Sequence, residues 1–86
     1  MAALLLAVIF SFNFIIMTKY LVIIEKSNTG YGAYVPDLPG CIATGDTKEA
    51  TERNIYEAIQ FHLEGIQAEG FDAPLPVSEA EVMVFS

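Results

Sequence analysis

Two side chains, His62 and Cys41, are best suited to nucleophilic or acid–base chemistry, and each is the only residue of its type. Any Ser–His–Asp or Cys–His pairing would therefore have to use His62. That histidine falls on the apolar stripe of a predicted helix, between Ile59 and Ile66, where a substrate would not reach it. Cys41 borders an apolar run, which is typical of a buried thiol that behaves as a small hydrophobe. The sequence predicts no nucleophilic site and, with one cysteine, no internal disulfide.

The carboxylates give no better case for metal-assisted catalysis. A two-metal nuclease places acidic residues at strand centres and on the facing side of a helix. Here Glu25 and Glu81 lie at the ends of predicted strands, and Asp37 lies in a turn. Gly30 and Gly32 form only a pair in a hairpin, without the spacing of a phosphate-binding loop. We expect no catalytic residue, no metal and no cofactor, and therefore a protein that is not an enzyme.

The bulk composition indicates a small acidic protein that binds another protein. The 86 residues make one domain at most, and a chain of this size buries so little surface that we expect a homo-oligomer. Eleven acidic residues against four basic ones give a net charge of -7. That charge argues against direct nucleic acid binding, which needs a clustered basic surface, and fits a basic partner.

Residues 1–16 carry no charge, whereas every charged residue lies after Met17. The segment lacks the positive start of a signal peptide and is slightly short for a membrane helix of about 20 residues. Two interpretations stay open: a tilted membrane span that continues past Lys19, and an over-extended reading frame or accessory tail ahead of a true start at Met17. We favour the second, with a leader at 1–16 and a domain at 17–86. A cytoplasmic location is expected, with membrane attachment only through the leader.

Hydrophobic patterning predicts an α+β fold. Strands are expected where β-branched and aromatic residues run between turn signals, and one long amphipathic helix follows three of them. The predicted strands are 19–25, 31–35, 41–44 and 81–85, and the predicted helix is 47–69. The order is β-β-β-α-β, an antiparallel sheet with the helix packed on it. The helix face expected to cover the sheet carries Ile55, Ala58, Ile59, His62, Leu63 and Ile66.

Breaker and capping residues set the limits of these elements. Pro39 and Gly40 fit the two central positions of a type II turn, where glycine accepts a positive φ. Asp46 and Glu49 have the spacing of a capping box at the start of the helix, and Gly70 is expected to end it. The sequence therefore predicts a sharp reversal before the third strand and defined ends for the helix.

Three segments together resemble the signature of the HicB-like antitoxin family: YVPDLPGC at 34–41, GDT at 45–47 and NIYEAIQFHLEG at 54–65. PDLPGC is the most specific of them. The resemblance implies a compact β-β-β-α-β domain similar to a partial ribonuclease H fold without the catalytic acids. It also implies a partner, a small basic HicA-type toxin that cleaves mRNA, and association into dimers or larger oligomers. Many such antitoxins carry a C-terminal DNA-binding domain, and a chain ending at Ser86 leaves no room for one.

On the basis of this resemblance, Tyr31, Tyr34 and Asp37 are the predicted toxin contacts. Asp37 has an alternative role as the cap of its own turn. The remaining motif residues are predicted to be structural, forming the turn and the start of the helix: Pro36, Leu38, Pro39, Gly40, Cys41, Gly45 and Asp46.

The favoured functional hypothesis is an antitoxin-like binding protein that binds and neutralises a HicA-type toxin. The alternative is an orphan binding or structural domain of the same fold, tethered to a membrane if residues 1–16 are retained. An enzymatic ribonuclease H relative would need carboxylates that the predicted strands lack.

Overall fold

The computed structural model describes residues 18–86, and the apolar leader at 1–16 lies outside the described residues. Three strands are followed by one helix: β1 (Ile23–Lys26), β2 (Tyr31–Tyr34), β3 (Ile42–Gly45) and α1 (Lys48–Ala68). The strands form an antiparallel sheet in the order β1-β2-β3, so each strand pairs with its neighbour in sequence. The α+β class and the antiparallel arrangement predicted from the sequence are confirmed.

The connection between β2 and β3 is built from two consecutive turns. The Leu38 N–H donates to the Val35 carbonyl at 3.0 Å, and the Cys41 N–H donates to the Leu38 carbonyl at 3.1 Å. Gly40 has a φ of 84°, as the third position of a type II turn requires, so the predicted role of Pro39 and Gly40 is confirmed. Since Val35, Leu38 and Cys41 are all buried, this connection points its apolar side chains inward.

The core lies between α1 and one face of the sheet. Its buried apolar residues are Ala33, Val35, Leu38, Cys41 and Ile55. Partly buried residues pack around them: Tyr20, Val22, Ile24, Ala43, Ala58, Ile59 and Leu63. The predicted helix face is confirmed, because Ile55 is buried and its other members are half-buried. This small core explains why each close contact between α1 and the sheet matters for stability.

The helix starts at a different cap from the predicted one. Thr47 is the N-cap: its backbone is extended (φ -126°, ψ 162°), and its Oγ1 accepts a hydrogen bond from the Ala50 N–H at 3.0 Å. The prediction that Asp46 caps the helix with Glu49 is wrong. Moving the cap by one residue puts Ala50 at the position of the capping-box acid, and alanine has no group that reaches back.

The end of the helix agrees with the prediction. Gly70 has a φ of 82° and donates its N–H to the Gln67 carbonyl at 3.0 Å. The Phe71 N–H donates to the Ile66 carbonyl at 3.1 Å. These two bonds form a Schellman motif, which satisfies carbonyls that the last turn of a helix leaves free.

The fourth strand predicted at 81–85 is wrong. The chain forms no strand between α1 and Ser86, and Val82 and Val84 are 96% and 94% exposed. Their β-branched side chains suit a strand, but a strand also needs backbone hydrogen bonds to a neighbour. The observed order within residues 18–86 is β-β-β-α, and the likeness to a ribonuclease H fold stays a prediction.

Gly45 lets the first turn of α1 approach β3 closely. A Cβ at this position would lie 2.6 Å from Thr51 Oγ1 and 2.8 Å from the Thr51 backbone nitrogen. Thr51 cannot easily move away, because it is fully buried and its Oγ1 donates to the Thr47 carbonyl at 2.8 Å. Asn54 adds a second link between helix and sheet, since its Nδ2 donates to the Thr44 carbonyl at 2.8 Å.

Replacing Gly45 with alanine is therefore expected to destabilise the fold by about 1–3 kcal/mol, the usual cost of overpacking a tight contact. Urea denaturation followed by circular dichroism measures the change. Gly65→Ala is the matched control, because Gly65 is helical and has nothing within 4 Å of an added Cβ. The control should gain about 1 kcal/mol from helix propensity. A neutral Gly45→Ala variant would contradict the proposed close approach.

The observed cap is tested by a pair of adjacent substitutions. Thr47→Ala removes the side-chain acceptor for the Ala50 N–H and should cost about 1 kcal/mol of folding free energy. Asp46→Ala should cost clearly less, because Asp46 lies one position before the cap. The same denaturation experiment compares the two, and a larger loss at Asp46 would restore the capping box predicted from the sequence.

Candidate functional site

One face of the sheet is left uncovered by α1. Directly opposed residues of antiparallel strands lie on the same face. One opposed row packs toward the helix: Ile24, Ala33 and Ala43. Because side chains alternate along each strand, the adjacent row faces away from the helix: Ile23, Tyr34 and Ile42. We call the surface formed by Ile23, Glu25, Tyr34, Ile42 and Thr44 the open face.

The open face is apolar at its centre and carries a carboxylate. Tyr34 is 42% exposed and Ile42 is 70% exposed, so neither α1 nor the chain after it covers them. Glu25 is also exposed and lies next to this row on β1. A phenol ring between two isoleucines, with a charged residue beside it, has the composition of a protein-binding patch with a polar rim.

The two tyrosines predicted to bind a partner do not lie together. Tyr31 is three residues before Tyr34 and belongs to the row that faces the helix side, opposite Lys26 and Gly45. It is half-buried and lines an open depression of about 730 Å³ at the end of the sheet, together with Glu25 of β1 and residues of the β1–β2 turn. The structure therefore places Tyr34 on the open face and Tyr31 off it.

Asp37 fixes the chain that follows the helix. Its Oδ2 accepts hydrogen bonds from the backbone N–H groups of Val77 at 3.2 Å and Ser78 at 3.1 Å, and its Oδ1 accepts from Ser78 Oγ at 2.9 Å. Nearby, the Tyr20 hydroxyl donates to the Pro74 carbonyl at 2.6 Å. We call these contacts the tail clamp. The Asp37 carboxylate thus holds a segment about 40 positions later in the sequence, a use that turn chemistry alone did not predict.

The titration of the clamp residues reflects these contacts. Partial desolvation acts to raise the pKa of Asp37, but hydrogen bonds from Ser78 and Val77 outweigh it and hold this pKa below its usual value of 3.8. Burial, followed by the negative charge of Asp37, raises the pKa of Tyr20 above its usual value. At neutral pH the carboxylate is therefore charged and the phenol is protonated, as both sets of hydrogen bonds require.

The other motif residues, with one exception, are located in the turns, the core or the strand–helix contact. Leu38 and Cys41 are buried, and Gly45 packs on the helix. Pro36 and Pro39 lie in the exposed parts of the two turns. The exception is Asp46, which is exposed and is not the helix cap.

The other predicted features concern catalysis and membranes. His62 is half-buried on the helix face that packs toward the sheet. Among residues 18–86 there is no group of three or more histidine, cysteine or carboxylate side chains that could hold a metal ion. Within the same residues no helix has the length and apolar character needed to cross a membrane. The expected absence of catalysis, metal and cofactor stays a prediction.

Two residues that hold α1 against β3 were not predicted from the sequence. Thr51 and Asn54 fall on the side of the helix that meets β3, where they replace the apolar residues that a periodicity search detects. A signal was present, because Thr51 lies four residues after Thr47, the spacing at which a threonine hydroxyl bonds a helix carbonyl. The exposure of Ile42 was also missed, since a β-branched apolar residue in a strand is normally assigned to the core.

Comparison with known families agrees with this geometry. The profile of the HicB-like antitoxins of bacterial toxin–antitoxin systems matches residues 20–84. The chain belongs to this family. The matched range contains all three strands, the helix, the tail clamp and the open face, so the HicB-like family accounts for the whole described fold.

Relatives of this HicB-like chain occur in a phage and in a bacterium. An uncharacterised 14.9 kDa protein of Haemophilus phage HP1 is 46% identical over 55 residues, which are 64% of this chain and 41% of the phage protein. A UPF0150 protein of Helicobacter pylori is 45% identical over 47 residues, which are 55% of this chain and 65% of that protein. The match therefore spans less than two thirds of the length of each relative.

A solved structure has a similar fold. A chain in a structure described as a HicA3 and HicB3 toxin–antitoxin complex superposes with a TM-score of 0.59 and 35% sequence identity. The superposition covers 70% of this chain and 70% of that chain. The fold of this HicB-like chain thus matches a chain that was solved within a complex of that description.

The tail clamp makes a testable prediction about pH. Since the pKa of Asp37 is lowered in the fold, the stabilisation is fully present above pH 3.8 and is lost as the pH falls through the lower folded value. Asp37→Asn should loosen the tail even at neutral pH, because a charged carboxylate that accepts three hydrogen bonds is replaced by a neutral amide with one acceptor oxygen. Amide hydrogen exchange by NMR should then be several-fold faster at Val77 and Ser78.

Asp72→Asn is the control for this experiment, because it removes an equal charge from an exposed position in the same segment. It should leave exchange at Val77 and Ser78 unchanged. Equal protection in the Asp37→Asn and Asp72→Asn variants would show that the clamp does not hold the tail in solution.

Proposed function

We propose that this chain binds and neutralises a small basic toxin of the HicA type, an mRNA interferase, by covering its surface. The observation that carries the proposal is the similarity to a chain solved in a HicA3–HicB3 complex, at 35% identity over 70% of both chains. Membership of the HicB-like antitoxin family supports the same partner class.

The open face is the surface we assign to the toxin. Tyr34 is a rigid aromatic side chain with a polar end, the type of residue that most often dominates the energy of an interface. Ile42 provides adjacent apolar area at 70% exposure. The sheet beneath these residues is rigid, because Ala33 on its other face is buried against the core. A partner would therefore meet a flat surface that needs little ordering before it binds.

Charge supports the choice of a basic partner. The chain has a net charge of -7, and Glu25 places one carboxylate beside the apolar row of the open face. Further exposed carboxylates lie along the outer side of α1: Glu49, Glu57 and Glu64. Acidic groups distributed in this way speed the encounter with a basic protein, and this electrostatic attraction becomes weaker as the salt concentration rises. The apolar centre of the open face then stabilises the complex.

Neutralisation in this scheme needs no chemistry from the antitoxin. The chain acts by occupying the toxin surface that RNA would use, since a basic surface that binds phosphates also attracts carboxylates. The groups expected to matter are therefore Tyr34 and Ile42 for affinity and Glu25 for steering. Tyr31 and Asp37, the other two contacts predicted from the sequence, lie off the open face.

The assignment is tested by titrating the chain into a HicA-type toxin from the same genome, with isothermal calorimetry and an RNA-cleavage assay in parallel. Tyr34→Ala should weaken binding by roughly tenfold or more, the loss typical of a central interface aromatic, and should restore RNA cleavage. Phe61→Ala is the matched control, because Phe61 is an exposed aromatic on α1, away from the open face.

Circular dichroism should show that both variants keep the wild-type fold. Toxin binding that survives Tyr34→Ala but fails with Phe61→Ala would move the interface from the open face to the helix. An absence of binding by the folded wild-type chain would leave the orphan-domain hypothesis in its place.

A further inference from the structure

The chain after the tail clamp is an exposed and largely apolar segment. Residues 79–86 read EAEVMVFS, and Val82, Met83, Val84 and Phe85 are all exposed. Alternating β-branched, long and aromatic side chains of this kind favour a strand. An exposed extended segment of this composition readily adds to a free sheet edge through its backbone N–H and carbonyl groups.

The sheet offers one open edge for such a strand. Its two edges are β1 and β3, because β2 is paired on both sides. The β3 edge is partly covered, since α1 lies over it and Asn54 Nδ2 already occupies the Thr44 carbonyl. Among residues 18–86, β1 has no neighbour on the side away from β2. The β1 edge is therefore the available one.

An apolar groove runs beside this edge. It lies between β1 and the near side of the helix, has a volume of about 220 Å³, and is lined by Val22, Ile24, Glu52, Ile55, Tyr56 and Ile59. We call it the β1 groove. A strand added to β1 would place alternate side chains on the helix side of the sheet, and those side chains would fall into this groove. The exposed apolar residues at 82–85 match its character.

The tail clamp directs residues 79–86 away from the chain's own β1. Pro74 lies against Tyr20, just before β1, and Val77 and Ser78 lie against Asp37, beyond the end of β2. The segment thus runs past one end of the sheet, from Tyr20 before β1 toward the β2–β3 connection. To return to its own β1 edge it would have to reverse at once, but residues 79–86 contain no glycine, proline, asparagine or aspartate to form a turn.

We propose that residues 79–86 pair as a strand with the β1 edge of a second copy of this chain. Two copies that exchange these strands make two identical contacts and close a two-fold dimer. The eight residues span about 26 Å when extended, at ~3.3 Å each, which exceeds the length of the four-residue β1. The exchange gives a small core the additional buried apolar surface that it lacks alone.

Charge complementarity favours another copy of this chain as the occupant. Lys19 precedes β1 and Lys26 is its last residue, and they are two of the four basic residues in the chain. The incoming segment begins with Glu79 and Glu81, ahead of its apolar part. Parallel pairing brings these glutamates toward Lys19, and antiparallel pairing brings them toward Lys26. This inference does not depend on the proposed toxin partner.

The first test is the association of the full chain, measured by sedimentation equilibrium. The wild type is expected to dimerise. Replacing Val82, Met83, Val84 and Phe85 with serine should raise the dimer dissociation constant at least tenfold, while leaving the helix signal unchanged. The matched control replaces Leu75 with serine, because Leu75 is a similarly exposed apolar residue of the same segment whose side chain is outside both the clamp contacts and residues 79–86. The control should dimerise as the wild type does.

The second test identifies what occupies the groove. An equimolar mixture of isotope-labelled and unlabelled full-length chains is examined for NOEs from the Val22 and Ile24 methyl groups. NOEs to residues 82–85 of the other chain support the exchange. NOEs to residues 82–85 within the same chain, to residues 1–17, or only to an added toxin would overturn it, as would dimerisation that is unaffected by the serine variant.

Discussion

The fold depends on a connection that points inward. Most connections between strands lie on the surface, because a buried one leaves backbone groups without partners. Between β2 and β3 the chain avoids that cost by bonding to itself, with Leu38 N–H on the Val35 carbonyl and Cys41 N–H on the Leu38 carbonyl. The backbone N–H groups of Val35, Leu38 and Cys41 are all paired in this way, since the Val35 N–H also donates to the Cys41 carbonyl, and the side chains of the same three residues fill the centre. The sheet and the helix therefore pack around the β2–β3 connection.

The same connection lies beside a sheet whose two faces present surfaces with different proposed roles. On its outer side, Asp37 holds the chain after the helix, which removes one carboxylate from the surface available to partners. Beside it, β2 presents Tyr34 on the open face, while β1 presents its edge and groove on the helix side. A toxin on the open face and a second copy at the β1 edge would therefore not compete. A dimer could hold one toxin on each open face.

The local features of the fold were predictable, and the long-range ones were not. Gly40 and Gly70 have positive φ values because their turn types require it, and this can be derived from a few adjacent residues. The helix is capped by Thr47 rather than Asp46, and beside this cap Gly45 and Thr51 pack together, a contact between strand and helix that spacing does not reveal. The strand predicted at 81–85 does not form, because a strand needs a neighbouring strand to pair with as well as a suitable composition. Tyr34 and Tyr31 were predicted together as partner contacts, but their odd spacing puts them on opposite sides of the sheet, and only Tyr34 lies on the open face.

The buried turn also determines how the single thiol behaves. Cys41 is 4% exposed, so an alkylating reagent has little access to its sulfur in the folded state. Burial also raises the pKa of the thiol, which lowers the amount of the reactive thiolate. Cys41 forms the last hydrogen bond of the turn, with its N–H on the Leu38 carbonyl. A reagent can therefore reach the sulfur only when the turn comes apart. The rate at which iodoacetamide modifies this sulfur atom therefore reports how often the centre of the protein opens.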